Sequence, residues 1–223
     1  MSEGKNTTNS SSTPFISALL VTYNESQYIR RSLDSLLCQD YPHNSYEIII
    51  VDGGSTDNTI ALAKELVAEH EDTGNTVQVS FIDNPKKILA AGWNLGIRNA
   101  KGEYVIRIDA HSVAQPDFLR LNIKTMKSVD AVCVGGKLIT EANSETGAVI
   151  RDILSSSFGV GNSSFRTSNE AGYADTAVYG LYKKEIFMKA GYFDETLIRN
   201  QDVEMHSRIK RTGGRFYFNP DIV

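Results

Sequence analysis

Two pairs of residues carry the chemistry this sequence can do. Asp109 and His111 stand two apart, where a strand expected over residues 103–108 gives way to Asp109-Ala110-His111. A strand repeats every two residues, so both side chains fall on one face and can reach one cation. Carboxylate oxygen suits Mg²⁺, whereas imidazole suits Mn²⁺ and later transition metals better. Taken alone, a D-x-H spacing is a weak signal. The other pair is Asp202 and Glu204 in Gln201-Asp202-Val203-Glu204, a few residues after Asp194-Glu195. Both open a predicted helix, where carboxylates favour the positive end of the dipole. Capping is the plain reading of either one; a general base beside a reacting hydroxyl is the chemical one.

The hydrophobic pattern says which elements position these groups. Short apolar runs over 15–22 and 46–51 read as buried strands, and 77–82 and 103–108 read as a third and a fourth strand. Helices are expected between them, over 25–38, 57–70, 88–100 and 116–127. A further strand is expected over 132–139, and helices over 183–190 and 201–212. Gly102 fits the C-terminal end of the 88–100 helix. Residues 140–180 are rich in Ser, Gly and Asn and read as long loops, which are usually functional in compact domains. The alternation predicts an α/β fold with a mixed, mostly parallel sheet flanked by helices.

In such a sheet, ligands bind beyond the carboxyl ends of the strands. Thr22, Tyr23, Asn24 and Glu25 follow the first strand, and Asp52 with Gly53, Gly54 and Ser55 follows the second. Asp83 and Asn84 follow the third, Asp109 and His111 the fourth. Turn-making explains Asn24, Asp52 or Asp57 taken singly. Their repetition along one edge points to a site.

Composition narrows the class. A chain of 223 residues suits one compact domain. Residues 1–13 are small and polar and read as a disordered leader, which leaves 14–223 for the domain. A net charge of -4 argues against a chain whose task is to coat nucleic acid or an anionic membrane. Two cysteines, Cys38 and Cys133, exclude a disulfide scaffold and are expected to be core thiols. No apolar run approaches the roughly 20 residues that span a bilayer. Neither G-x-G-x-x-G nor G-x-x-x-x-G-K-[ST] occurs, which disfavours dinucleotide-binding and P-loop enzymes. A bound nucleotide would then need a divalent cation to neutralise its phosphates.

Five stretches in fixed order carry a resemblance: TYNE at 22–25, VDGGSTDNT at 51–59, AAGWNLGIRNAKGEY at 90–104, D-x-H at 109–111, and GYFDE with NQDVE over 191–204. Together they resemble the family 2 glycosyltransferases, inverting enzymes of the GT-A nucleotide-diphospho-sugar transferase fold, over about residues 14–223. RIDAHS at 107–112, SSSFGVGNSSFR at 155–166, ADTAVYGLYKKEIF at 174–187 and RNQDVE at 199–204 are similar to the succinoglycan-type exopolysaccharide glucosyltransferases. The resemblance implies a nucleotide-sugar donor such as UDP-glucose and a saccharide or lipid-linked saccharide acceptor.

It also implies roles. Thr22, Tyr23, Asn24 and Glu25 line the nucleotide pocket, and Asp52 contacts the uridine. Asn94, Arg98 and Ala110 belong to the donor side. Asp109 and His111 hold Mg²⁺ or Mn²⁺, and Asp202 is the base. Gln201 and Tyr179 lie on the acceptor side, and Tyr173 and Tyr182 are further candidates to stack on the acceptor sugar. Two positions depart from the family pattern: His111 replaces a second Asp, and Gln201 replaces the Glu before the base.

Members of the group usually continue beyond the N-P-D-I stretch at 219–222, often into membrane-associated helices. The chain is therefore expected to be the catalytic domain of a longer, cytoplasmic protein at the inner face of the cell membrane. Two other readings stay open. A sugar-nucleotide nucleotidyltransferase would need a Gly-rich loop where this chain has TYNESQYIRR. A non-catalytic saccharide-binding module would not need Asp52, Asp109 and Asp202 together. Trp93 is expected to pack beside the nucleotide pocket.

Overall fold

The computed structural model describes residues 13–140, Phe165 and 168–223. Apart from Thr13, the expected leader lies outside the described residues, as do the 155–166 stretch other than Phe165 and most of the 140–180 segment.

Eight strands form one mixed sheet in the order β3-β2-β1-β4-β7-β5-β8-β6. They are β1 (Ile16–Thr22), β2 (Tyr46–Asp52), β3 (Gln78–Asp83), β4 (Tyr104–Asp109), β5 (Cys133–Gly135), β6 (Gly172–Ala174), β7 (Leu181–Lys183) and β8 (Phe216–Phe218). The first four pair in parallel, and β7 joins β4 and β5 antiparallel. β8 runs parallel to β5 and antiparallel to β6.

Period-two burial divides the layers. Ile16, Ala18 and Leu20 of β1, with Ile48 and Ile50 of β2, pack into a core with α1 (Ile29–Leu37), α2 (Thr59–Asp72) and α4 (Phe118–Ser128). Leu19, Ile49 and Val51 face the opposite way. They pack with α3 (Leu89–Asn99), α5 (Glu185–Ala190) and α6 (Gln201–Arg211). Both faces of β1, β2 and β4 are thus covered, which is why they read as mostly apolar runs, whereas the edge strand β3 alternates and stays partly exposed.

Four local features depart from the sequence reading. α1 starts at Ile29 because residues 25–28 form a turn, in which Tyr28 and Ile29 N–H both donate to Glu25 O at 2.9 Å. The strand expected over 132–139 stops at Gly135, where Asn219 N–H donates to Gly135 O and Lys137 N–H to Ile222 O. β6, β7 and β8 are not among the expected strands because three residues are too few to show a period.

Gly102 does not cap α3; Ala100 holds that position. Gly102 is needed for close approach instead. A Cβ there would lie 2.6 Å from Tyr104 O, 2.7 Å from Ser17 N and 2.8 Å from Phe15 O. All three are backbone atoms at the centre of the sheet and have no room to give. Gly102→Ala is therefore expected to destabilise the fold by about 3 kcal/mol or more, read as a lower denaturation midpoint. A wild-type midpoint would remove this explanation for the glycine.

Candidate active site

β1 lies between β2 and β4, so the chain winds outward through β2 and β3 and then returns to the other side of β1. That reversal opens a crevice beyond the carboxyl ends of β1 and β4. Register levels the polar edge expected there: Thr22 pairs with Asp52, Asp52 with Asp83, and Val21 with Asp109.

The loops after β1 and β2 lock onto each other. Asn24 holds a left-handed φ of 54°, which its short polar side chain tolerates. Its N–H donates to Ser55 Oγ at 2.9 Å, and its Oδ1 accepts from Thr56 N–H at 2.8 Å. Asp52 accepts from Ser55 Oγ at 2.6 Å and from the N–H groups of Gly54 and Ser55. Asp57 receives hydrogen bonds from Thr59 and Ser26, chiefly Thr59, and these hold its carboxyl near pKa 2. Tyr23 is exposed, whereas Thr22 is buried, and its Oγ1 has no partner among the described residues.

At the end of β4, the Asp109 carboxylate accepts from Tyr179 O–H at 3.1 Å. Burial first, then the Asp109 charge, pushes the Tyr179 hydroxyl up to about 12, so it stays a donor at neutral pH. Ser112 Oγ donates to the same phenol oxygen at 2.7 Å. Tyr179, expected on the acceptor side, thus sits against the metal-motif carboxylate. Buried Ala110 packs into the core between Asp109 and His111. His111 Nδ1 lies 3.2 Å from Glu25 Oε1, which joins the β1 loop to the β4 end.

Asp109 offers oxygen and His111 nitrogen. Among the described residues, Asp109 and His111 belong to no group of three His, Cys, Asp or Glu whose ligand atoms lie within 4.8 Å of one another. Two protein ligands would leave the remaining positions to phosphate oxygens and water, as Mg²⁺ commonly requires. The donor set therefore fits Mg²⁺ or Mn²⁺.

The structure adds a residue that sequence reasoning missed. Arg107 lies two residues before Asp109 on the same strand face, and only 5% of it is exposed. Its NH1 pairs with Asp202 Oδ1 at the start of α6. The guanidinium lies 4.8 Å from the Trp93 ring and 5.0 Å from the Phe193 ring. Burial alone would raise the Asp202 carboxyl; Arg107 outweighs it and holds the group below its ordinary value. The available signal was a lone cation inside an apolar strand, VIRID, in phase with Asp109 and His111.

Asn94 is buried and spends its amide on the segment before α6. Its Oδ1 accepts from Phe193 N–H at 2.9 Å, and its Nδ2 donates to Phe193 O and Glu195 Oε1. Glu195 also binds Lys86 Nζ at 2.5 Å. Arg98, one turn along α3, stacks 3.8 Å from the Tyr192 ring centre. Gln201 donates to Leu197 O at 3.1 Å, behind the left-handed Asn200 that opens α6. Tyr182, a candidate acceptor platform, is fully buried. Its hydroxyl meets His206 Nε2 at 2.7 Å, and Thr176 Oγ1 meets His206 Nδ1 at the same distance. Tyr173 is exposed and packs edge-on against Tyr217.

Cys133 is buried as expected, but Cys38, at the C-terminal cap of α1, is exposed. With Asp34 and His70 it offers three ligand atoms within 4.8 Å of one another. Their hydrogen bonds tie His70 to Asp34 directly. Asn75 Oδ1 accepts from Val77 N–H and its Nδ2 donates to Leu37 O, which fixes the amide. The same Nδ2 faces His70 Nδ1 at 3.4 Å, leaving the ring proton on Nε2, 2.8 Å from Asp34.

A switch-point crevice edged by carboxylates, on a mixed sheet continued by short antiparallel strands, defines the class: the GT-A transferase fold. The chain belongs to glycosyl transferase family 2, whose model matches residues 17–190, and it is a glycosyltransferase domain. It is 35% identical over 214 residues to the dolichyl N-acetyl-alpha-D-glucosaminyl phosphate 3-beta-D-2,3-diacetamido-2,3-dideoxy-beta-D-glucuronosyltransferase of Methanococcus voltae, covering 94% of this chain and 65% of that protein. Against the succinoglycan biosynthesis protein ExoA of Rhizobium meliloti (strain 1021), identity is 30%, with 87% of this chain and 57% of that protein covered. The chain thus spans about three fifths of these relatives' length.

Among solved structures it resembles S. aureus TarS 1-349 in complex with UDP (TM-score 0.71, 18% identity, 93% of this chain and 58% of that one). It also resembles the mannosyltransferase PcManGT from Pyrobaculum calidifontis in complex with GDP-Man and Mn²⁺ (TM-score 0.69, 20% identity, 95% and 56%). Among the described residues, no helix is long and apolar enough to cross a membrane.

Proposed function

We propose that this chain is the catalytic domain of an inverting glycosyltransferase of polysaccharide assembly. It moves a sugar from a UDP-hexose such as UDP-glucose to a hydroxyl of a saccharide or lipid-linked saccharide. One observation carries the reading. Arg107 and Asp109, two apart on one face of β4, mount the acid of α6 and the metal-motif carboxylate on a single strand. The relatives support it, being named for a β linkage and for succinoglycan biosynthesis.

In this reading Thr22, Tyr23, Asn24, Glu25 and Asp52 form the uridine side. Asp109 and His111 would hold a divalent cation, which when bound would offset charge on the leaving diphosphate. Tyr179 orients the Asp109 carboxylate by donating to it. Asn94 and Arg98 act at one remove, by holding the 192–195 segment against α3. Asp202 takes the acceptor hydroxyl proton as that oxygen attacks the anomeric carbon opposite UDP. One bond forms as the other breaks, so an α-linked donor gives a β-glycoside.

The test is turnover of UDP-sugars with Mg²⁺ or Mn²⁺, followed by NMR of the product anomer. UDP release and a β product are expected. An α product would overturn inversion, and saccharide binding without turnover of any donor would leave a binding module.

A further inference from the structure

We infer that Arg107 is a positioning residue for sugar transfer: it fixes the Asp202 carboxylate relative to Asp109 through one short segment of β4. The inference rests on Asp202 being the base. Three observations carry it.

The first is placement. β4 sits between β1 and β7: β7 pairs with Tyr104–Ile106, and β1 pairs along the whole strand, so Arg107 and Asp109 stay in register with Leu19 and Val21. Residues 107 and 109 project from the same face, separated by one strand repeat. A group held by Arg107 is therefore referred to Asp109 by about 7 Å of strand backbone paired to β1.

The second is confinement. A guanidinium buried to this degree is costly unless paired. Here the Trp93 and Phe193 rings flank it, and NH1 meets Asp202. Asn94 in turn clamps the backbone of Phe193 at 2.9 Å. The fork cannot swing away, so its direction sets that of the carboxylate. Nε has no partner among the described residues, so the NH1 contact to Asp202 is the directional bond given for the group.

The third is asymmetry. The Asp202 side chain is 51% exposed although its partner is buried. One side of the carboxylate is fixed from below, while the other stays open for an acceptor hydroxyl. The remaining charged or titratable groups that bear on Asp202 are His206 on α6, and Tyr182 on β7 and Cys133 on β5 behind Arg107.

The experiment compares Arg107→Gln and Arg107→Lys in steady-state transfer, with circular dichroism and UDP binding as checks of the fold. Arg107→Gln is expected to lower kcat about 10–100-fold with donor KM and UDP affinity unchanged. Arg107→Lys should recover part of kcat, because it keeps the charge but loses the planar fork. In an Asp202→Asn background, Arg107→Gln should cost nothing further.

A folded Arg107→Gln with wild-type kcat overturns the inference, as does an equal loss in the Asp202→Asn background. If Arg107→Gln does not fold, Arg107→Lys at full wild-type kcat overturns it. Full transfer by Asp202→Asn alone would instead remove the base reading on which the inference depends.

Discussion

Replacing Asp202 by Asn is expected to lower sugar transfer by roughly 10²–10⁴-fold, the usual contribution of a positioned general base. UDP binding should stay at wild-type strength. The reason lies in where Asp202 stands. It opens α6, on the face of the sheet that carries Arg107 and Asp109, and its carboxylate is half exposed. Asn keeps the shape and can still face the Arg107 fork, but it cannot accept a proton. The loss should therefore fall on kcat and spare the fold.

The pH profile follows from the same pair. Because Arg107 outweighs burial and lowers the carboxyl, Asp202 stays ionised to pH values below the ordinary aspartate value of about 3.9. Transfer should lose no activity to this group on acidification from pH 7 to 5, and should fall only below the ordinary range. Normal transfer by Asp202→Asn, in steady-state assays at saturating donor, would sink the assignment. So would an acid limb in wild type that disappears with another residue.

Asp109→Ala is the second large effect. Loss of a group that only orients a metal ligand costs about 10–100-fold in metal affinity, so loss of the ligand itself should cost at least that. Titration of UDP with and without Mn²⁺ gives the measurement. In wild type the cation should tighten UDP binding; in Asp109→Ala that gain should vanish, leaving only the cation-independent part. Asp109→Asn separates charge from shape, because it can still accept from Tyr179 but carries no negative charge. A Mn²⁺-dependent gain of wild-type size in both variants would remove Asp109 from the metal site. His111→Ala should cost less, and should weaken Mn²⁺ more than Mg²⁺, since only the former is well suited to imidazole.

Much of this protein was legible without coordinates, and the residues say why. β1, β2 and β4 are buried on both faces, so each reads as a mostly apolar run, interrupted once by Ser17, Glu47 or Arg107 and closed by a polar residue. Those closing residues, Thr22, Asp52 and Asp109, are the strand-end groups that register then places along the sheet edge. α6 announced itself by acids at one end and by Arg208, Lys210 and Arg211 at the other, whereas the strand period expected to carry both Asp109 and His111 stops at Asp109, where β4 ends and a turn holds His111. These are local signals, carried by neighbours in the chain.

What the tertiary structure decided is contact between distant residues. Nothing near Arg107 in sequence reveals that its partner is Asp202, because the pair is separated by 95 positions. Tyr179 meets Asp109, 70 positions away in the chain, because the residues leading into β7 fold back along β4. Gly102 looked like a helix cap, yet its missing Cβ makes room for backbone from β1 and β4. Cys38 looked like a core thiol, yet it is exposed at the C-terminal cap of α1. The sequence determined which groups the strands deliver to their carboxyl ends, since strand period and polarity are local. Which groups touch was decided by sheet order and helix packing, which act between residues far apart in the chain.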